Sequence, residues 1–197
     1  MAVILASASP RRLEILNKHG IMPVVMPSDA DETLSGHHTM TEAVEELALR
    51  KAVSCYENIK KDPALSAKYS GSVIIGADTI VYKDRMLGKP ADEADAFSML
   101  SSYRATYHYV VTGVALIDIS SGSRDVLSDV TKVWCIDYSD SEILDYISRE
   151  EPYDKAGAYA IQGYFGRYID HIEGDYENVV GLPFYRIKDK LLKYAER

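Results

Sequence analysis

Short apolar runs alternate with stretches of helical period along this chain, and that alternation restricts the fold to the α/β class. Val3–Ala6, Ile21–Met26, Val73–Tyr82, Tyr107–Ile119, Val126–Tyr138 and Tyr168–Ile172 read as strands. The polar turn SSGSRD joins two of them in a hairpin. Ser9 stands as N-cap before Pro10, with Leu13 and Leu16 on the apolar face and Gly20 at the stop. Thr39 and Glu42 have capping-box spacing ahead of Val44, Leu47, Ala48, Ala52 and Cys55. Ser139 and Glu142 repeat the device ahead of Ile143 and Ile147. Further helices follow Pro90, with Phe97 and Leu100 inside, and Pro183, with Phe184, Ile187, Leu191 and Tyr194 on one stripe. Residues 27–40 and the Gly-rich stretch YDKAGAYAIQGYFGRY read as loop, the latter with short helix.

The 197 residues, 47% of them hydrophobic, are enough for a single domain over 1–197 with a sizeable core and room for two lobes. A net charge of -8 argues against nucleic acid as a partner, and it requires any anionic ligand to be held by a local basic cluster. Cys55 and Cys135 have neither metal nor redox spacing and read as reduced, buried thiols. No run approaches a membrane span, and no signal-like segment opens the chain, so a soluble, cytoplasmic protein without membrane contact is expected.

Three stretches carry candidate chemistry. The first is SASPRR, Ser7–Arg12. A strand, a small-residue turn and a helix N-terminus present backbone N–H groups to an anion, and arginine adds a bidentate fork for phosphate. Cations are disfavoured in a helix's first turn, so Arg11 and Arg12 there are either solvated surface residues or holders of a bound anion. The second is GADTIVYKDRMLGKP, which sets Asp78 inside a β-branched strand. A carboxylate there needs a partner: a metal, an activated water, or a lysine such as Lys89. The acidic loop DADE, Asp29–Glu32, is a second carboxylate source or a solvated loop. Lys51, near the apolar face of its helix, either snorkels to solvent or reaches a ligand. The third is DKAGAYAIQG. Asp154 and Lys155 can pair, and Gln162 is either a satisfied loop amide or a reader of a base edge. His108 is a structural strand histidine or a base; no Ser-His-Asp or zinc arrangement emerges.

Together SASPRR, GADTIV with LGKP, VVTGVAL, YDKAGAYAIQG and NVVGLP resemble, in order and across almost the whole chain, the Maf family of nucleoside triphosphate pyrophosphatases. The resemblance implies a mixed, elongated sheet with flanking helices and two lobes around a central cleft, similar to the inosine triphosphatases. It implies hydrolysis of a nucleoside triphosphate to the monophosphate and pyrophosphate with a divalent cation, Mg²⁺ or Mn²⁺. It also implies an association with septum formation and cell division, and a homodimer, with which fifteen tyrosines are compatible. By match to the motifs, Asp78 is the catalytic carboxylate and a metal ligand, with Glu32 the second. Ser9, Arg11, Arg12, Lys51 and Lys89 hold phosphates. Arg11, Thr79 and Gln162 are specificity positions. AIQG is similar to the dTTP/UTP branch, in which a glutamine amide suits uracil or thymine. Two other readings stand beside it: a 7-methyl-GTP pyrophosphatase, and a nucleotide-binding regulator with little turnover.

Overall fold

In the computed structural model, residues 2–149 and 151–195 are described. The strands are β1 (Val3–Leu5), β2 (Val24–Val25), β3 (Val73–Lys83), β4 (Arg85–Leu87), β5 (Tyr107–Asp118), β6 (Arg124–Cys135) and β7 (Ile169–Glu173). They form a mixed sheet in the order β2-β1-β3-β5-β6-β7, with β4 paired to β3. The flanking helices are α1 (Pro10–Lys18), α2 (Met40–Lys61), α3 (Pro63–Lys68), α4 (Glu93–Tyr103), α5 (Asp140–Ile147), α6 (Tyr176–Val180) and α7 (Phe184–Ala195). The α/β expectation is met.

Local signals placed the helices well. Thr39 and Ser139 both form complete capping boxes with Glu42 and Glu142. Ile187, Leu191 and Tyr194 of the α7 stripe are buried. The strand expected over Ile21–Met26 shrinks to Val24–Val25. It lies at the sheet edge, and Pro23, which has no N–H to donate, bounds it. The β5–β6 turn is one step tighter than SSGSRD implies. Gly122, at φ +70°, donates to the Asp118 carbonyl, so β6 starts at Arg124. The short elements α3, β4 and α6 carry no periodic signal and were not foreseen.

The chain divides into two compact units. The first comprises residues up to Asp78, Thr112–Asp129 and Gly181 onward; the second comprises Thr79–Val111 and Val130–Val180. In the first unit β1 runs parallel to β2 and β3, with Ile4 opposite Val24 and Ile74. Its core includes Ile4, Ala48, Ala52, Cys55, Ile74 and Ile117. In the second unit β6 and β7 are antiparallel, with a register shift at Trp134/Cys135.

The second unit's core is aromatic, built on Tyr103, Tyr138, Tyr146, Tyr159, Phe165 and Tyr168. Tyrosine can fill such a core only where its hydroxyl finds a partner. Tyr138 Oη donates to the Leu100 carbonyl at 2.6 Å and Tyr103 Oη to the Gly157 carbonyl at 3.1 Å. Much of the tyrosine content is therefore spent on this interior.

His108 belongs to that core. It is fully buried, hydrogen-bonded through Nε2 to Tyr159 Oη at 2.6 Å, and packed on Tyr103. Burial, aided by Lys83, pushes the imidazole down from its ordinary 6.5 to about 3. It is a neutral structural residue. Between those values the unfolded chain binds a proton that the folded chain does not. Stability therefore falls as pH drops below 6.5, by about 1.4 kcal/mol per pH unit from this group. Urea unfolding at pH 7 and pH 5 is expected to show a loss in the wild type that His108→Phe reduces by about 2 kcal/mol. An equal loss in both proteins would remove His108 from the acid response.

Candidate active site

The first unit assembles its charged cluster from three elements. Gly76 and Asp78 are two residues apart on β3 and so share one face of the strand. Ala48, Lys51 and Ala52 share one face of α2. A Cβ at Gly76 would overlap the Ala48 carbonyl and come within 2.8 Å of the Ala52 nitrogen. Only glycine lets strand and helix close this far, and that approach carries Lys51 to Asp78. Gly113 on β5 has the same relation to Val44 and Glu45 further up the helix.

Lys51 Nζ donates to Asp78 Oδ1 at 2.6 Å and pairs with Glu32 Oε1 at 2.8 Å. The lysine and aspartate side chains are only 12% and 11% exposed, whereas Glu32 is 64% exposed. Lys51 therefore does not snorkel. The lysine partner of Asp78 is Lys51, not the Lys89 that sequence proximity suggested. The loop bearing Glu32 is tied to α2 by Arg50, which donates from Nη1 to the Thr33 carbonyl at 2.7 Å and from Nη2 to Glu46. Arg50 carries no motif, and its role was not legible beforehand.

The third element is the β1–α1 junction. Ser9 has N-cap backbone geometry, yet its hydroxyl makes no cap bond, in contrast to Thr39 and Ser139. The first turn of α1 holds no acidic residue. Arg11 is half-buried. Arg12 is buried, donating from Nε to the Gly181 carbonyl at 2.9 Å and from Nη1 to Ser7 Oγ at 3.0 Å. Burial lowers the Arg12 pKa from its ordinary value, while Asp78 and Glu32 act in the opposite direction. Of the two alternatives for Arg12, the solvated surface residue is ruled out: Arg12 is anchored inward. Ser7 and Gly181 are supporting residues that the motif reading missed, although both lie within the quoted SASPRR and NVVGLP.

Ser9, Arg11, Arg12, Glu32, Lys51 and Asp78 accordingly belong to one unit, with Lys51 in direct contact with both Glu32 and Asp78. Thr79, Lys89 and Gln162 belong to the other. Lys89 and Gln162 are exposed and Thr79 is half-buried. Asp154 and Lys155 form an ion pair, as their adjacency suggested.

The donor set suits a hard divalent cation. Two carboxylates meet at a single ammonium, and hard oxygen ligands are what Mg²⁺ and Mn²⁺ take. Among the described residues no cluster of three or more His, Cys, Asp or Glu forms a metal cage. A cation held by Asp78 and Glu32 would complete its shell with water and phosphate oxygens, the usual arrangement for Mg²⁺. Among the described residues no helix is long and apolar enough to cross a membrane.

Residues 2–194 match the family described as Maf-like protein. The chain is 45% identical to the dTTP/UTP pyrophosphatase of Alkaliphilus oremlandii, across 94% of this chain and 92% of that one. It is 46% identical to the dTTP/UTP pyrophosphatase of Koribacter versatilis, across 95% and 91%. It is 43% identical to that of Caldicellulosiruptor saccharolyticus, across 97% and 94%. Matched in this way along nearly its whole length, the chain belongs to the Maf-like protein family.

Proposed function

We propose that this protein is a pyrophosphatase of dTTP and UTP, adding water across the α–β phosphoanhydride to release the nucleoside monophosphate and pyrophosphate. The observation that carries the proposal is the Glu32–Lys51–Asp78 cluster, in a chain whose relatives bear that name. A triphosphate is strongly anionic and this protein is acidic, so the phosphates need a concentrated local cation set. Arg11, Arg12, Lys51, Lys89 and the first-turn N–H groups of α1 supply it, with Arg12 held in place by its bonds to Gly181 and Ser7. The Ser9 hydroxyl, not used as a cap, serves as a further phosphate donor. A bound Mg²⁺ or Mn²⁺ would neutralise phosphate charge and polarise the phosphoryl oxygens. Asp78 orients the attacking water and accepts its proton. Free, buried Cys55 and Cys135 support a reducing, cytoplasmic setting.

Gln162 reads the base. Its NH₂ donates to O4 and its carbonyl accepts from N3–H of uracil or thymine. Cytosine reverses both groups, and each mismatched polar group costs about 1–3 kcal/mol. Purified protein tested on a nucleotide panel with pyrophosphate detection is expected to favour UTP and dTTP over CTP by on the order of 10²-fold. Gln162→Glu should lose UTP and dTTP preferentially, because a carboxylate cannot donate to O4. Equal turnover of CTP and UTP would refute the base assignment. Preference for 7-methyl-GTP would refute the branch, and no turnover of any nucleotide would refute the enzyme.

A further inference from the structure

The turn Ala160–Tyr164, which carries Gln162, is exposed at Gln162 and Gly163. An exposed glutamine on an untethered turn discriminates bases poorly, because the backbone from which its amide reaches can shift to suit either edge. The turn is not untethered. The Gly163 N–H donates to the Ala160 carbonyl at 3.0 Å and closes the loop. Tyr164, on its outgoing side, donates its backbone N–H to Glu151 Oε2 at 3.2 Å. The other carboxylate oxygen, Glu151 Oε1, accepts from Tyr146 Oη at 3.2 Å. The Tyr146 hydroxyl is in turn hydrogen-bonded by the Ala160 backbone on the incoming side. One carboxylate thus grips both ends of the five-residue turn, directly at Tyr164 and through Tyr146 at Ala160.

Three further observations converge on the same grip. Gly163 has an extended backbone, φ -94° and ψ -163°, which any residue can adopt, so no positive φ requires the glycine. What the glycine provides is room for the carboxylate: a Cβ there would overlap Glu151 Oε1 and displace it. The Tyr164 ring lies between two guanidinium groups, Arg149 and Arg167, each 3.7 Å from its centroid. Tyr146, the middle link, is fully buried in the aromatic core. Burial and the neighbouring Glu151 carboxylate both raise its pKa, so the hydroxyl keeps the proton it donates.

We propose that Glu151 is a positioning residue for base selectivity, holding the Gln162 turn in one arrangement through Tyr164 and Tyr146. This rests on the assignment of base reading to Gln162. Glu151 touches neither base nor phosphate in this scheme. Its contribution is to fix the backbone position from which the Gln162 amide reaches the base, so its loss affects selectivity more than chemistry.

The test compares kcat/KM for UTP and CTP in the wild type, Glu151→Ala, Glu151→Gln, Gly163→Ala and the Glu151→Ala/Gly163→Ala double variant. It also follows hydrogen exchange at the Tyr164 amide. Glu151→Ala is expected to reduce the UTP/CTP ratio by on the order of 10-fold or more, a scale consistent with ångström-level misplacement. Tyr164 exchange should accelerate by about 10-fold or more as its acceptor disappears. Glu151→Gln keeps one acceptor for that amide and should fall between wild type and Ala in both readouts. Gly163→Ala should reproduce the loss of ratio by displacing the carboxylate. In the double variant the new methyl has room, so the ratio should be no worse than in Glu151→Ala alone. Equal loss on both nucleotides with the ratio preserved would make Glu151 merely structural and overturn the proposal. So would unchanged Tyr164 exchange in Glu151→Ala. A wild type that turns over UTP and CTP equally overturns base reading by Gln162 and this role with it. A wild type inactive on every nucleotide overturns the activity itself, and is recognised by that before any variant is compared.

Discussion

Asp78→Asn is expected to lower turnover by on the order of 10²-fold or more, the scale of a lost general base. The substitution keeps the side chain's size in a position that is only 8% exposed. It removes the charge that would bind metal and the basicity that would take a proton from water. Lys51 keeps one anionic partner, Glu32, at 2.8 Å, and the asparagine carbonyl can still accept from it. Breaking a buried pair outright costs about 3–5 kcal/mol because a charge is left alone. Here it is not left alone, so a smaller loss of stability is expected and the variant should remain folded. Steady-state kinetics at saturating Mg²⁺, with thermal unfolding on the same sample, makes the comparison. Near wild-type turnover in folded Asp78→Asn protein would remove Asp78 from the mechanism.

Arg12→Ala is expected to lose both turnover and stability. From the sequence, loss of a first-turn arginine should impair triphosphate turnover but cost little stability, and deleting a cation beside a helix N-terminus should even help the free protein slightly. The structure reverses the expectation for stability, because Arg12 is not a solvated cation. Its removal orphans the bonds to Gly181 and Ser7 and takes a countercharge away from Asp78 and Glu32. A stability loss of about 2–4 kcal/mol is expected from bonds of this kind, with turnover reduced on the order of 10²-fold. Arg11→Ala supplies the contrast: a half-buried neighbour whose loss should reduce triphosphate turnover with little change in melting temperature. If Arg12→Ala melts like the wild type, the Ser7 and Gly181 bonds carry no stability. If it hydrolyses like the wild type, Arg12 holds no phosphate.

The features that could be read directly from the residues are those encoded over a few positions. The Thr39/Glu42 and Ser139/Glu142 boxes require only a spacing of three, and both form as expected. Pro10 opens α1 because its ring suits a helix start wherever the helix lies. Asp78 within β-branched residues announced that a partner was needed. The alternation of strand and helix periods defined the class of fold without any long-range information.

Who the partners are depended on chain segments meeting, and there the local reading failed in specific places. Lys89 was the near lysine in sequence, but Lys51, 27 residues away, reaches Asp78 because Gly76 lets β3 close on α2. Arg12 finds its acceptor 169 positions along the chain, at Gly181. Glu151 and Gly163 look unrelated until the turn folds back and leaves no room for a Cβ. Propensity, capping and periodicity act within a turn or two of the backbone, so one sequence carries them openly. Burial, close approach and shared hydrogen bonds exist only after distant segments pack, and they decided which of the charged residues became surface, support or site.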